Sequence, residues 1–333
     1  MSKLILTADD YGLNPAVNAA VLTSIQNNAI TSVQVLANYA SESDIRLLAA
    51  TIHAAGNKCG IGLHFCTTAG RSILRKASTL THGPNFEFYK LEDWDYAHTN
   101  SNDVKEELLA QYKMLADIIG GHRIDSLSSH HNIHLFSPVY MGIIVKIAEA
   151  HQIPVRSPVR WSQDKKNKNY PGPGMLAPIE KTAFKTLSSC KSDATQALLS
   201  RAILGYLMRE NRDLANFNVP PVRTPHSASG HWYGQPSKKA IEWTVGKLLE
   251  GPNGDHTYAT EIFMHLANST VYEDPSLTYL MYDRVVEYNK LNSSDVRNYI
   301  QTLYNKPGLD FGSYRKVLMG QKVSYDLPPA PLV

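Results

Sequence analysis

Two adjacent acids, Asp9 and Asp10, stand in "LILTADDYGLNP" at residues 4–15, where an apolar run breaks into Tyr, Gly and Pro. Neighbouring strand residues point to opposite faces, so the pair cannot serve one packing surface. Carboxylates this close also repel, and each needs a partner or a reason to be ionised. One reading is structural: Asp10 or Asn14 caps a helix that begins at Pro15. Other residues point to chemistry. "GIGLHF" carries His64, "SLSSHHNIH" carries His130, His131 and His134, "IPVRSP" carries Arg156 and "TEIFMH" ends at His265. Two histidines and one carboxylate make a standard mononuclear metal set with positions open for water and substrate. A divalent cation stabilises the ionised acid and brings the pKa of its water to about 7. One acid then holds the metal, and the other takes the proton.

Such residues need elements that gather them. Strand and helix patterns alternate: strand 3–8, helix 15–28, strand 31–37, helix 41–56 from a Ser41 cap to Gly56, and strand 59–65. A looser segment leads to a periodic helix over 102–119, then strand 123–129, helix 138–151 and strand 153–158. A helix near 194–212, strand 257–265, helices over 276–304 and a closing strand 309–314 complete the series. Strands separated by helices of this length indicate βαβ units. The fold class is α/β, a distorted (β/α) barrel with mostly parallel strands. In such barrels reactive groups gather at the C-terminal strand ends, which is where the acids, imidazoles and guanidinium fall. Residues 1–333 read as a single domain, with an insertion or excursion at about 162–193 around "YPGPGMLAP".

Bulk properties narrow the partners. The chain is 43% apolar and 19% charged with a net charge of +3, the composition of a globular protein. Its densest basic run, "DKKNKN" at 164–169, lies in a Pro/Gly-rich stretch, and no basic stripe marks a nucleic-acid surface. No run of about 18 apolar residues spans a membrane, and "MSKLILTADD" is too short in its apolar part for a signal peptide. Cys59, Cys66 and Cys190 lack metal-ligand spacing, and a reducing, cytoplasmic setting is expected. A homodimer stays open.

The blocks "TADDYGLNPAVNAAV", "ITS", "GIGLHF", "SSHHNIHLFSP", "IPVRSP", "EIFMH" and "FGSYRKV" run in order from residue 3 to about 317. Together they resemble the YdjC-like carbohydrate deacetylases, the chitooligosaccharide deacetylase family. The resemblance implies a polysaccharide-deacetylase-like barrel and one divalent metal ion, Mg²⁺ or Zn²⁺, held by Asp10, His64 and His130. It implies Asp9 as general base, Arg156 orienting or charge-balancing that base, and protonated His265 as general acid for the leaving amine. Family members usually carry a His-x-Asp-Ser-His run where this chain has Ser126, Leu127, Ser128, Ser129 and His130. Asn132 replaces the third histidine of the cluster and Leu266 replaces a proline. Ser128 in particular removes a partner expected to orient His130.

The reaction implied is hydrolysis of an N-acetyl group on an acetylated amino sugar or oligosaccharide. Tyr11 is a candidate for the rim of the site, His134 for substrate contact, and His231, Trp232 and Tyr233 for sugar stacking in "HSASGHWYGQP". Trp232 and Tyr233 also fit the plainer role of anchoring their loop. No "G-x-S-x-G" elbow supplies a serine nucleophile. Two other classes compete. A single-metal phosphoesterase lacks its phosphate cradle here, since neither a "GxxxxGK[ST]" loop nor a helix-opening "GxGxxG" occurs. A catalytically silent sugar-binding barrel fits the serine replacements but has no use for a base and an acid.

Overall fold

The computed structural model describes residues 1–91, 93, 99–135, 137–156, 225, 227–229, 236–250, 258–271 and 281–327. Its first half alternates strand and helix: β1 (Ser2–Tyr11), α1 (Pro15–Gln26), β2 (Ser32–Val35), α2 (Glu42–Ala54) and β3 (Gly60–Phe65). A short hairpin follows, β4 (Thr81–His82) and β5 (Glu87–Phe88), then α3 (Ser101–Ile119), β6 (Ile124–Ser129) and α4 (Pro138–His151). The later elements are β7 (Ser227–Ser229), α5 (Lys238–Glu250), β8 (Ala259–His265), α6 (Met281–Leu291), α7 (Ser294–Leu303), β9 (Leu309–Phe311) and α8 (Tyr314–Met319).

Seven strands form one curled sheet in the order β6-β3-β2-β1-β8-β7, with β9 also paired to β1. Every pairing in it is parallel. Central β1 is shared: β9 takes Ser2–Leu4 and β2 takes Thr7–Tyr11, while β8 pairs along the other edge from Lys3 to Asp9. Burial on both faces explains the continuous apolar run Leu4–Leu6 in β1. Leu4, Leu6 and Ala8 join the large core, while Ile5 packs with Ala259, Tyr314, Val317 and Leu318. The class is α/β, a mostly parallel part-barrel with helices against it.

Local chemistry sets the element ends. The Asn14 side chain accepts from Ala16 N–H and Val17 N–H, so Asn14, not Asp10, caps α1. Ser41 and Asp44 form a capping box at α2. Of the strand expected over 153–158, the described part shows one parallel bridge, Leu127 to Val155. The hairpin β4–β5 lies in the segment that reads as loose. The excursion at 162–193 and the helix expected at 194–212 lie outside the described residues. No described helix is long and apolar enough to cross a membrane.

Candidate active site

The two acids of β1 meet at a bulge. Ala8 pairs with Val33 and Tyr11 with Val35, so β1 carries one more residue than β2 between the same two rungs. Asp10 absorbs it in the left-handed region at φ 68°. Such a conformation costs a residue with a side chain about 1–3 kcal/mol, and bulges of this kind re-aim side chains. Both carboxylates thereby approach one imidazole nitrogen. His64 Nε2 lies 3.5 Å from Asp10 Oδ1 and 4.0 Å from Asp9 Oδ2. Gly12, at φ 102°, completes the turn where a side chain would overlap Ala40.

Asp10 is fully buried. Its Oδ1 lies 3.0 Å from His130 Nδ1, and its Oδ2 accepts from Arg284 at 2.7 Å. Burial opposes its charge, yet His130 and Arg284 outweigh that and hold the carboxyl well below its usual range. Burial pushes His64 well down despite the neighbouring Asp10, which leaves a neutral imidazole, the form that ligates metals. One ligand atom each from Asp10, His64 and His130 lies within 4.8 Å of the others.

Asp9 belongs to a second network. Arg156 donates to its Oδ1 at 2.7 Å and its Oδ2 at 2.9 Å, and to both oxygens of Glu261 at 2.8 and 2.9 Å. The guanidinium also stacks on Phe263, 4.6 Å from the ring centre. Asp9 pairs in register with His265, whose Nε2 lies 4.0 Å from Asp9 Oδ2. Glu287 accepts from the His265 backbone N–H at 3.1 Å. Burial raises the Glu287 carboxyl well above its usual range. Three buried carboxylates, Asp9, Asp10 and Glu261, thus face two guanidiniums, Arg156 and Arg284. The carboxylate–imidazole–imidazole set beside them is of a kind that can hold a divalent cation.

The fold therefore brings Asp9, Asp10, His64, His130, Arg156 and His265 to one end of the sheet. Several expectations need correction. Tyr11 is buried, with its hydroxyl donating to the Asp44 carbonyl at 2.8 Å, so it is a core residue and not part of a rim. His134 is also buried, with Nδ1 on Ser129 Oγ, which withdraws it from a substrate surface. His265 is pushed down to about 4 by burial and then by Arg284, so it is neutral at rest rather than protonated. Ser128 touches His64 Nδ1 at 2.6 Å, so it orients His64 and not His130. His231, Trp232 and Tyr233 lie outside the described residues.

Arg284, Glu261, Glu287 and Gln34 were not singled out from sequence. A signal existed for three of them. Glu261 interrupts an apolar strand on the same face as His265. Arg284 and Glu287 occupy the buried stripe of α6 with Met281 and Leu291.

Comparison with known proteins agrees with this frame. The sequence model of the YdjC-like protein family matches residues 3–302. A carbohydrate deacetylase of Clostridium beijerinckii is 28% identical over 156 residues, 46% of this chain and 59% of the relative. A carbohydrate deacetylase of Geobacillus stearothermophilus is 31% identical over 160 residues, 48% of this chain and 60% of the relative. A chitooligosaccharide deacetylase of Klebsiella pneumoniae is 27% identical over 158 residues, 46% of this chain and 58% of the relative. The chain thus spans less than two thirds of the length of the curated relatives it matches. In backbone it follows a solved candidate cellobiose-phosphate cleavage protein from Enterococcus faecalis, with a TM-score of 0.64 at 20% identity, covering 96% of this chain and 99% of that one. Matched by its family model over most of its length, this chain belongs to the YdjC-like protein family.

Proposed function

We propose that this chain is a metal-dependent carbohydrate deacetylase that hydrolyses the N-acetyl group of an amino sugar, of the diacetylchitobiose or chitooligosaccharide type. The observation that carries this reading is the buried Asp10–His64–His130 set beside an arginine-clamped Asp9. The deacetylase names of the relatives support the substrate class. A Mg²⁺ or Zn²⁺ ion held by that set would supply Lewis acidity toward the acetyl carbonyl and render water acidic enough to attack.

The protein's own groups handle the protons. Asp9 accepts the proton of the attacking water, while Arg156 holds the carboxylate in place through both oxygens. His265, neutral at rest, takes over that proton from Asp9 and passes it to the departing nitrogen. The 4.0 Å gap between Asp9 Oδ2 and His265 Nε2 is short enough for a water or substrate atom to bridge. His231, Trp232 and Tyr233 remain our proposal for sugar contacts, on residue chemistry alone.

The test is acetate release from diacetylchitobiose by metal-stripped protein, with and without added Zn²⁺ or Mg²⁺, beside Asp9→Asn. The expected result is cation-dependent acetate, reduced by at least roughly 10²-fold in the variant while cation affinity is retained. Acetate release that ignores both the cation and the substitution sinks the reading.

A further inference from the structure

A chain of uncharged side chains stands behind one ligand of the proposed metal set, and this inference rests on that set. His64 Nδ1 lies 2.6 Å from Ser128 Oγ, and Ser128 donates to Gln34 Oε1 at 2.8 Å. Gln34 Nε2 in turn donates to Ser126 Oγ at 2.7 Å. All four residues are buried, so these hydrogen bonds satisfy polar atoms that lie away from solvent. Residue 62 has to be glycine for this to fit. A Cβ there would lie 2.5 Å from Ser126 Oγ and 2.6 Å from Gln34 Nε2.

The chain has a direction. An amide oxygen only accepts, so Ser128 spends its single proton on Gln34. Its oxygen can then only accept, and His64 Nδ1 must carry the ring proton. That leaves the lone pair on Nε2, the nitrogen facing Asp10 Oδ1 at 3.5 Å. A reversed amide would send the Ser128 proton to Nδ1 and place a proton on Nε2, where a cation has to bind. We propose that Gln34, acting through Ser128, is a positioning residue that locks His64 in its cation-binding tautomer. Neither residue touches the proposed metal; both act by choosing which ring nitrogen is bare.

The first measurement is the ¹⁵N spectrum of histidine-labelled, metal-free protein, with His64 assigned by comparison with His64→Gln. The second is Zn²⁺ affinity by chelator competition for wild type, Gln34→Met, Ser128→Ala and Ser128→Thr. Wild-type His64 is expected to be protonated on Nδ1. Gln34→Met and Ser128→Ala should mix the tautomers and weaken Zn²⁺ binding by roughly 10–100-fold. Ser128→Thr retains the hydroxyl and should bind within about threefold of wild type, against the loss expected when such a partner is removed. Wild-type His64 protonated on Nε2, or Gln34→Met and Ser128→Ala that bind Zn²⁺ as wild type does, overturns the inference. If wild type binds no Zn²⁺, the metal reading falls while the nitrogen signals still judge the relay.

Discussion

Arg156 is 1% exposed and lies between Asp9 and Glu261, so its charge compensates two carboxylates at that depth. Replacing it with Met leaves both acids without a counter-charge. Equilibrium urea unfolding of Arg156→Met should show a loss of about 3–5 kcal/mol, the usual cost of breaking a buried pair. Arg284 offers a contrast, because its partner Asp10 is also the proposed cation ligand. Arg284→Met should destabilise the metal-free protein by a comparable amount, and added Zn²⁺ should restore part of the loss by binding the folded state alone. Equal destabilisation with and without Zn²⁺ would show that Asp10 meets no cation. These residues also mark what the sequence discloses. Asp9, Asp10, His64, His130 and His265 are legible because each ends a strand in a parallel α/β pattern. Arg284 is not, because an arginine within "MYDRVVEY" reads as a solvated helix face until the apolar stripe around it is counted.

At the scale of elements, two register shifts shape the site: one in β1 against β2, and one between β3 and β6 from Ile61 to Leu63. Neither is written in hydrophobic alternation, which gives the existence and direction of strands but not an extra residue within one. Helix starts fare better, since Asn14 and Ser41 cap where their side chains predict. Of the strand expected at 153–158, the described residues bridge β6 in parallel at Val155, while residues 157–158 lie outside the described residues. Two glycine substitutions separate these effects by sign. Gly62→Ala forces a Cβ against Gln34 and Ser126 and should cost about 1–3 kcal/mol in chemical denaturation. Gly142→Ala, in the middle of α4 with open space around it, should stabilise by about 0.5–1 kcal/mol. A neutral Gly62→Ala would mean that the contact beneath His64 is loose.

At the scale of the whole molecule, the C-terminal residues fasten the first strands. Tyr325 Oη accepts from Ile61 N–H at 2.8 Å and donates to the Arg123 carbonyl at 2.9 Å, tying β3 to the turn before β6. Tyr325→Phe strands a buried N–H and should cost about 1–3 kcal/mol by thermal or urea unfolding. Asp125 likewise accepts from Tyr314 N–H and Arg315 N–H, so the start of β6 holds the start of α8. The same arrangement governs how the protein is made. β1 leaves the ribosome long before two of its three neighbours, β8 and β9. At about 5–20 residues per second, translation keeps it waiting on the order of tens of seconds. Through that interval an apolar strand has one unclaimed edge, the kind of surface that holding chaperones cover. Asp9 meets His265 only after β8 has been made, so the pairing at the heart of the site waits on strands far along the chain.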